Sequence, residues 1–444
     1  MLHQTDIFVV GTGPSGMAAA RTAKSARPEL SVTAIRREPS YIPCALPYAL
    51  GGVCEVDSYI KDESKLLTDV GINVLDGEVV SISPGDKSVR LSNGTAYTYG
   101  KLIVATGAHP IELPHLNTDQ PNVFAVRTPA DIHKILDWRQ RCRHVSIVGG
   151  GYVGVEVACM MRQTGHEVTL FEMADRVLPN SFDEEFSQLA REKLEAGGVE
   201  VKPASAVDAA VAGEDGAITQ LRLTDGSSVP SEMVILALGA KARLTLFEEA
   251  DMETAHDGVV VDERMQTSAE HVYACGDCVH FRCWVTERPV PGKLATNGIF
   301  QGKTAALNAV GQDRTFKGFV NACATEIFGL CFGSAGLTED SARKAGFEVM
   351  TGKGVSRNAY PMFDHSSEVI VKLVFDGGNH VLVGGQVSGT HGVTERVDLI
   401  ALGIQQRLTA DDLIELAHSA HPLQSGVPAH NPIVMAAEKA SLKR

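Results

Sequence analysis

A single cysteine, Cys44, lies in a segment that could give it redox chemistry, residues 40–52 with the sequence SYIPCALPYALGG. Pro43 favours an extended conformation for the residue before it. Pro47 suits the first turn of a helix, where its missing N–H group is not needed, and Gly51 provides a helix end. A thiol at a helix N-terminus faces unpaired N–H groups that stabilise the thiolate, which attacks disulfides and peroxides. Most cysteines are packing residues, so the surroundings of this segment decide its interpretation.

The Cys44 segment follows a pattern that is typical of dinucleotide binding. Asp6–Val10 predicts a strand, Met17–Ala26 an alanine-rich helix and Ser31–Ile35 a second strand, which together make a βαβ unit. The turn after the first strand reads GTGPSG. Its glycines permit a tight turn, the approach of a pyrophosphate to the backbone and close helix packing. The residues expected to contact the dinucleotide here are Gly11, Gly13, Pro14, Ser15 and Gly16.

A second unit of the same kind follows, with a strand at His144–Val148, a helix to about Gln163 and a strand at Glu167–Phe171. A GxGxxG turn again lies between the first strand and the helix. Its expected dinucleotide contacts are Gly149, Gly151, Tyr152, Val153 and Gly154. Two complete fingerprints in one chain are a stronger signal than one, and they predict two bound dinucleotides.

The residue that closes the second strand of each unit predicts how the ribose is held. In the second unit this residue is Glu172, whose carboxylate suits the 2′-hydroxyl of NADH and would repel a 2′-phosphate. Arg176 is the nearest basic residue and keeps NADPH open. In the first unit Arg36 takes this position, and Glu38 is the acidic candidate beside it.

Other segments place more residues at strand and helix ends. Strands are predicted at Lys101–Thr106 and Met233–Leu238, a third within Thr267–Asp277, and a helix from about Gly292. The residues at these ends are Ala105, Thr106, Gly107, Gly239, Asp277, Leu294 and Ala295. From about Phe316, polar and apolar residues alternate and helical periodicity follows, which predicts an α+β domain.

The composition limits the class of protein. A chain of 444 residues with 44% hydrophobic and 21% charged residues predicts about three globular domains. The net charge of −14 argues against nucleic acid and anionic membranes as partners. No apolar run is long enough to span a bilayer and no signal peptide is recognised, so a cytoplasmic location is expected. Nine cysteines then predict free thiols, and Cys275 and Cys278 lack the second pair of a zinc site.

The paired fingerprints, the glycine-ended strands, the VYACGD segment and the terminal α+β domain resemble the flavin-dependent pyridine nucleotide–disulfide oxidoreductases over essentially the whole chain. The resemblance implies that the first fingerprint binds FAD and the second NADH or NADPH. It implies a further NAD(P)H contact at Gly239 and further FAD contacts at Ser40, Ala105, Thr106, Gly107, Leu294 and Ala295. It implies that Asp277 holds the FAD ribityl chain, that the helix from Ala295 points its N-terminus at the flavin, and that Glu156 lies beside the nicotinamide. The C-terminal domain would form a homodimer interface.

The implied fold class is α/β, with two Rossmann-like dinucleotide-binding domains and a C-terminal α+β dimerisation domain. The predicted FAD-binding domain is discontinuous and comprises residues 1–112 and 242–315. The predicted NAD(P)H-binding domain comprises residues 113–241, and the dimerisation domain comprises residues 316–444.

The cysteines indicate the branch of the family. Two-cysteine members carry C-x4-C, and Ala49 occupies the second position here. Ser40, Cys44, the run Leu46-Pro47-Tyr48 and the paired glycines are similar to the single-cysteine branch of coenzyme A-disulfide reductases and NADH oxidases and peroxidases. In that branch the cysteine cycles through a mixed disulfide or a sulfenic acid.

Several positions depart from that branch. Pro14 stands where the peroxidases carry histidine, and Pro43 and Lys24-Ser25 stand where coenzyme A-disulfide reductases carry asparagine and arginine. Their C-terminal tyrosine motif is replaced by a sequence that resembles the His-Pro of two-cysteine relatives. That likeness makes His421 a candidate acid or base, although the usual glutamate partner is absent and Gly426 lies nearby.

These observations predict an FAD-containing NAD(P)H oxidoreductase in which hydride passes from nicotinamide to flavin and on to Cys44. The acceptor would be a small disulfide, a persulfide or polysulfide, a peroxide or oxygen, with Cys44 and His421 as catalytic residues. One alternative is a flavin electron transferase to a redox protein such as a ferredoxin or rubredoxin. Another is a nucleotide-binding redox sensor or assembly subunit with negligible turnover.

Overall fold

The first fingerprint lies at the centre of a seven-stranded sheet in the computed structural model, which describes residues 2–60, 63–290 and 292–442. The strand before the turn is buried from Ile7 to Val10 and pairs in parallel with a strand on each side, as expected for a sheet covered on both faces. The elements of this part are β1 (Leu2–Val10), α1 (Pro14–Ala26), β2 (Val32–Arg36), α2 (Leu46–Leu50), α3 (Glu63–Thr68), β3 (Asn73–Asp76), β4 (Val79–Ser83), β5 (Ser88–Leu91), β6 (Ala96–Val104) and β7 (Ala108–Pro110). Their order in the sheet is β3-β2-β1-β6-β5-β4.

The second fingerprint lies in a five-stranded parallel sheet. The elements of this part are β8 (Val123–Ala125), α4 (Pro129–Arg139), β9 (His144–Val148), α5 (Tyr152–Gln163), β10 (Glu167–Phe171), α6 (Glu184–Ala196), β11 (Val199–Lys202), β12 (Val207–Ala212), β13 (Ile218–Leu223), β14 (Ser228–Pro230), β15 (Met233–Leu236) and β16 (Ala240–Ala242). The order of the parallel sheet is β11-β10-β9-β15-β8, and β12, β13 and β14 form a separate antiparallel sheet. Strand β16 pairs with β7 and joins the two parts of the molecule.

The chain then returns to the first sheet. The elements are α7 (Thr245–Glu248), β17 (Thr254–Ala255), β18 (Gly258–Val259), β19 (Val272–Ala274) and α8 (Ala295–Ala309), and β19 pairs in parallel with β6. The strand predicted within Thr267–Asp277 is shorter than expected, because His271 adopts a φ of 69°, outside the β region. Helix α8 packs against α1 at Gly302, where a Cβ would overlap the backbone of Ser15. The first unit is therefore built from two separate stretches of sequence.

The last part of the chain is an antiparallel sheet with helices packed on it. Its elements are β20 (Cys323–Ile327), β21 (Leu330–Gly336), α9 (Glu339–Ala345), β22 (Val349–Arg357), β23 (Glu368–Asp376), β24 (Leu382–Gly389), α10 (Val393–Gln405), α11 (Ala410–Ile414) and α12 (Pro432–Ser441). The strand order is β20-β21-β24-β23-β22. Helix α10 packs on β21 and β24, and α12 packs on β22 and β23. This arrangement is the α+β unit that the alternating pattern predicts.

Within the described ranges, no helix is long and apolar enough to cross a membrane. The same residues contain no group of three or more His, Cys, Asp or Glu side chains that could hold a metal ion. Residues 1, 61–62, 291 and 443–444 of the predicted domains lie outside the part of the chain that the structure describes.

Candidate active site

The turn between β1 and α1 has the shape that a dinucleotide requires. Gly11 has a φ of +99°, and a Cβ there would overlap the carbonyl oxygen of Ala105. A Cβ at Gly16 would overlap the carbonyl oxygen of Gly11, so both positions require glycine. Gly13 has nothing within 4 Å of such a Cβ, and as N-cap of α1 it gives the helix no side-chain hydrogen bond. An open approach to an uncapped helix N-terminus fits the pyrophosphate of FAD.

Asp277 lies just beyond β19, where the resemblance places the flavin half of FAD. Its carboxylate pairs with Arg127 at 3.6 Å, and the Lys293 ammonium donates to the Asp277 carbonyl oxygen at 2.8 Å. Helix α8 begins at Ala295 behind Leu294, which makes no side-chain cap to the first N–H groups of the helix. A carboxylate and an uncapped helix N-terminus are the two features that the resemblance assigns to the ribityl chain and the flavin edge.

The turn between β9 and α5 repeats the geometry of the first one. Gly149 has a φ of +111°, and a Cβ there would overlap the Ala237 carbonyl oxygen. A Cβ at Gly154 would overlap the carbonyl oxygen of Gly149, whereas a Cβ at Gly151 would meet nothing within 4 Å. Gly151 is the N-cap of α5 and provides no side-chain cap. The second turn therefore fits a second pyrophosphate, as the sequence predicts.

The predicted ribose contacts occupy different surroundings in the two units. Glu172 follows β10 and accepts hydrogen bonds from the N–H groups of Gly150 at 2.7 Å and Ala174 at 2.8 Å, which fix its carboxylate beside the second turn. In the first unit, the guanidinium of Arg36 donates to Asp76 at 2.8 Å, and Glu38 is exposed beyond β2. The contacts of Arg36 and Glu38 with FAD stay predictions. Gly239, which follows β15, has a φ of +94° that favours glycine.

Arg176 makes ion pairs that bear on the choice of coenzyme. Its guanidinium lies 2.7 Å from Asp340 in the first turn of α9 and 3.3 Å from the neighbouring Asp175. Asp340 belongs to the C-terminal unit, so an acidic group of another domain holds this base. A guanidinium that is already paired is a poorer partner for a 2′-phosphate. The arrangement favours NADH, in agreement with Glu172.

Cys44 is exposed and lies in a short 3₁₀ turn, Pro43–Ala45, that leads into α2. The thiol lies just before this helix, as the sequence predicts, although residues Pro43–Ala45 form a 3₁₀ turn that the sequence did not predict. An α-helical bond to the Pro43 carbonyl would need the N–H of residue 47, which proline lacks. Buried Ser40 fixes the segment to the first fingerprint, because its hydroxyl donates to the Thr12 carbonyl oxygen at 2.9 Å. Sequence order and this hydrogen bond together place the thiol beside the predicted FAD site.

A groove of about 900 Å³ runs between α1 and α8, and Cys44 lines it. The exposed Arg21 on α1 and Lys303 on α8 contribute positive charge, and both lie on the groove wall. Tyr41 and Ile299 contribute apolar surface. The groove therefore combines a thiol, apolar walls and two cationic side chains, which suits an elongated ligand with an anionic portion.

Glu156 connects all three units through its carboxylate. It lies on α5 and accepts hydrogen bonds from the Thr325 hydroxyl of β20 at 2.9 Å and from the Tyr48 hydroxyl of α2 at 3.4 Å. Burial raises the pKa of Glu156 to about 7, and the hydrogen bonds from Thr325 and Tyr48 act against this rise. The carboxylate therefore titrates near neutral pH, which is unusual for glutamate.

His421 lies on an exposed loop between α11 and α12. Its N–H donates to the Ser425 hydroxyl at 3.0 Å, and its Nδ1 accepts from the Leu423 N–H at 3.3 Å. A Cβ at Gly426 would lie 2.7 Å from Ser356 Oγ, so the space for the glutamate of two-cysteine relatives is restricted. The contacts of His421 within its own loop and the restricted space at Gly426 do not identify an acid or base function. The catalytic role of His421 therefore stays a prediction.

The cysteines around Asp277 are packing residues in this structure. Cys275 and Cys278 are fully buried and belong to different hydrophobic clusters, and Cys283 belongs to a third. Burial raises the pKa of the Cys275 and Cys278 thiols above its ordinary value, which disfavours the reactive thiolate. The close spacing of these residues in the sequence therefore does not produce a reactive dithiol.

Some residues at the site were not predicted from the sequence. Arg127 and Lys293 contact Asp277, and Tyr48 and Thr325 contact Glu156. Tyr48 had a signal, because it lies four residues after Cys44 in the segment already singled out. Lys293 had one as well, because it directly precedes the predicted Leu294. Arg127 and Thr325 have none, since each reaches the site only through the packing of distant segments.

Family models match most of the chain. Residues 5–305 match the model described as pyridine nucleotide-disulphide oxidoreductase, and residues 324–431 match the dimerisation domain of the same enzymes. The chain belongs to this family. It is accordingly a flavoenzyme that uses FAD and NAD(P)H, and the predicted fold class, cofactors and enzyme class are confirmed.

Curated relatives and solved structures agree with this assignment. The chain is 28% identical to an NADH oxidase of Methanocaldococcus jannaschii, with 98% of each chain covered. It is 30% identical to an NAD(P)H coenzyme A polysulfide/persulfide reductase of Pyrococcus horikoshii, with 97% of each covered. A solved NAD-dependent persulfide reductase from A. fulgidus superimposes with a TM-score of 0.93 at 28% identity, covering 99% of this chain and 83% of that one.

Proposed function

We propose that this oxidoreductase uses NADH to reduce a sulfur acceptor, and that Cys44 is the catalytic residue that reacts with it. The observation that carries the proposal is the position of the exposed Cys44 thiol in the groove between α1 and α8. Arg21 and Lys303 on the groove wall favour an acceptor with an anionic portion. A persulfide or disulfide of coenzyme A combines a reactive sulfur with phosphates, and the P. horikoshii relative is named for such chemistry.

The reaction that fits this site is thiol–disulfide exchange. The Cys44 thiolate attacks the persulfide sulfur that is bonded to the organic group. A mixed disulfide between Cys44 and the organic thiol forms, and hydrosulfide leaves. Two electrons from NADH and one proton then cleave the mixed disulfide, which releases the organic thiol and restores the Cys44 thiolate. Oxidation of one NADH balances reduction of one persulfide. Bound FAD would supply the two-electron transfer between the nicotinamide and the sulfur.

The residues that would hold the cofactors follow from the geometry of the two turns. Gly11, Gly13 and Gly16 would accept the FAD pyrophosphate, with Asp277 and the N-terminus of α8 at the flavin half. Gly149, Gly151 and Gly154 would accept NADH, with Glu172 at the ribose. Val153 is exposed beside Tyr152 at the start of α5, next to this turn, and both stay predicted contacts of NADH.

We further propose a homodimer through the C-terminal unit, which matches the dimerisation domain of the family. His421 would act from the partner subunit, as the resemblance implies. The proposal predicts that sedimentation gives a dimer and that His421→Ala lowers sulfur turnover without lowering flavin content. An active monomer would exclude this role for His421.

A panel of acceptors tests the function directly. NADH oxidation would be measured with oxygen, hydrogen peroxide, polysulfide, oxidised glutathione, coenzyme A disulfide and coenzyme A persulfide, each with and without added coenzyme A. We expect the highest kcat/KM with a sulfur acceptor that carries coenzyme A. Preference for oxygen or peroxide would contradict the proposal, and turnover only with a ferredoxin or rubredoxin would favour an electron transferase.

The basic wall of the groove provides a second arm of the same test. Lys303→Glu should raise the KM for the anionic acceptor about tenfold, because it replaces an attraction by a repulsion. Lys344→Glu, on an exposed position of α9, changes the charge equally and is the matched control. Equal effects of the two substitutions would show that the groove does not select the acceptor.

A further inference from the structure

The Glu156 carboxylate is held at a junction of three units by donors from two of them. Helix α2 packs closely on α5, since a Cβ at Gly51 would lie 2.5 Å from Met160 Sδ. Apolar side chains of both helices share one buried cluster. Within these surroundings the carboxylate accepts from Tyr48 of α2, four residues after Cys44, and from Thr325 of β20. A partly buried carboxylate with two hydroxyl donors, beside an apolar cluster, forms a local polar network.

We propose that Tyr48 and Thr325 are positioning residues that keep the Glu156 carboxylate ionised and thereby favour the oxidised, positively charged nicotinamide. The inference rests on the proposed function in placing NADH at the second fingerprint, and on the family resemblance in placing Glu156 beside the nicotinamide. Loss of hydride from C4 of NADH removes two electrons and one proton and leaves a nicotinamide ring with one positive charge. A carboxylate beside the ring stabilises that charge, whereas a protonated Glu156 does not.

The pKa of Glu156 agrees with this role. Burial raises it to about 7, and the hydrogen bonds from Thr325 and Tyr48 lower it. Without those donors, burial would act unopposed and the carboxyl group would be neutral at physiological pH. The two hydroxyl groups therefore determine how much of Glu156 is ionised in the range where the enzyme works.

Other titratable groups lie on the elements around Glu156. They are Tyr48, Tyr152, Cys159, Cys323 and Glu326. Burial raises the pKa of both tyrosines and both cysteines, so these four stay protonated near neutral pH. Glu326 accepts a hydrogen bond from the Gly329 N–H at 2.9 Å in its own turn.

The test is the pH dependence of NAD⁺ binding to the oxidised holoenzyme. The dissociation constant would be measured by titration from about pH 5 to about pH 9, because NAD⁺ carries the charged ring and needs no acceptor. We expect affinity to increase with pH around a midpoint near 7. Thr325→Val should move the midpoint upward by about one pH unit. Tyr48→Phe should move it less, because its hydrogen bond of 3.4 Å is longer than the 2.9 Å of Thr325.

Two further variants make the test decisive. Glu156→Gln should abolish the pH dependence, and Tyr99→Phe, which removes a buried hydroxyl in β6, should leave the midpoint unchanged. The flavin spectrum confirms that each variant is folded. A midpoint that is unchanged in both Thr325→Val and Tyr48→Phe, or pH dependence that persists in Glu156→Gln, would overturn the inference. Failure of every sulfur acceptor would contradict the proposed function and leave this binding result standing.

Discussion

Replacing Glu156 by glutamine should stabilise the protein, and only at neutral and alkaline pH. The pKa of Glu156 is raised from its ordinary 4.5 to about 7 by burial. Because folding raises this pKa, Glu156 contributes its full stability to the folded state below pH 4.5, where the group is protonated. That contribution is lost as pH rises through about 7 and the group ionises. The difference of about 2.5 units corresponds to about 3 kcal/mol at about 1.4 kcal/mol per unit. Glutamine keeps an acceptor for Tyr48 and Thr325 but carries no charge to bury.

The assay is urea unfolding of the holoenzymes at several pH values, followed by fluorescence of the protein and the flavin. The unfolding free energies of wild type and Glu156→Gln should agree at about pH 4.5 and diverge by up to about 3 kcal/mol at about pH 8, with the variant more stable. The acid values serve as the internal control. A constant difference across the pH range would show that Glu156 does not titrate there and would refute the reasoning.

Three further results are expected. Lys372→Met should lower the free energy of unfolding by about 3–5 kcal/mol, measured by urea denaturation, because Lys372 is buried and lies 2.9 Å from the equally buried Asp183. Glu172→Ala should reduce the ratio of kcat/KM for NADH over NADPH, and adding Asp340→Asn should reduce it again by releasing Arg176; an unchanged ratio would exclude these residues from the selection. Wild type should release one FAD per chain on denaturation. Gly13→Val should abolish FAD binding, and hence this release, because its side chain would fill the open approach to α1.

The sequence predicts the features that depend on neighbouring residues. Both glycine turns, the strand and helix order around them and the terminal α+β unit agree with prediction, because spacing and periodicity act over a few residues. The 3₁₀ turn at Cys44 was missed because the helix rules allow Pro47 in a first turn without showing which residue begins it.

Features that depend on packing could not be predicted. The hydrogen bond from Thr325 to Glu156 joins residues 169 positions apart, and the bond from Tyr48 joins residues 108 apart. Arg176 illustrates the same limit, since its nearness to Glu172 in sequence kept NADPH open, yet Asp340 holds its guanidinium. Such pairs exist only after three units have packed, and local sequence carries no signal for them.

The most direct test of the central claim is the turnover of the Cys44→Ser holoenzyme with its best sulfur acceptor. The variant should keep FAD and still be reduced by NADH, and it should still reduce dyes that take electrons from the flavin. Its sulfur turnover should fall by at least about a hundredfold, because no thiolate remains to attack the acceptor. Cys54→Ser, at another exposed cysteine two residues beyond the Cys44 segment, should retain full turnover. Wild-type sulfur turnover in Cys44→Ser would contradict the account and show that electrons leave the flavin without the thiol.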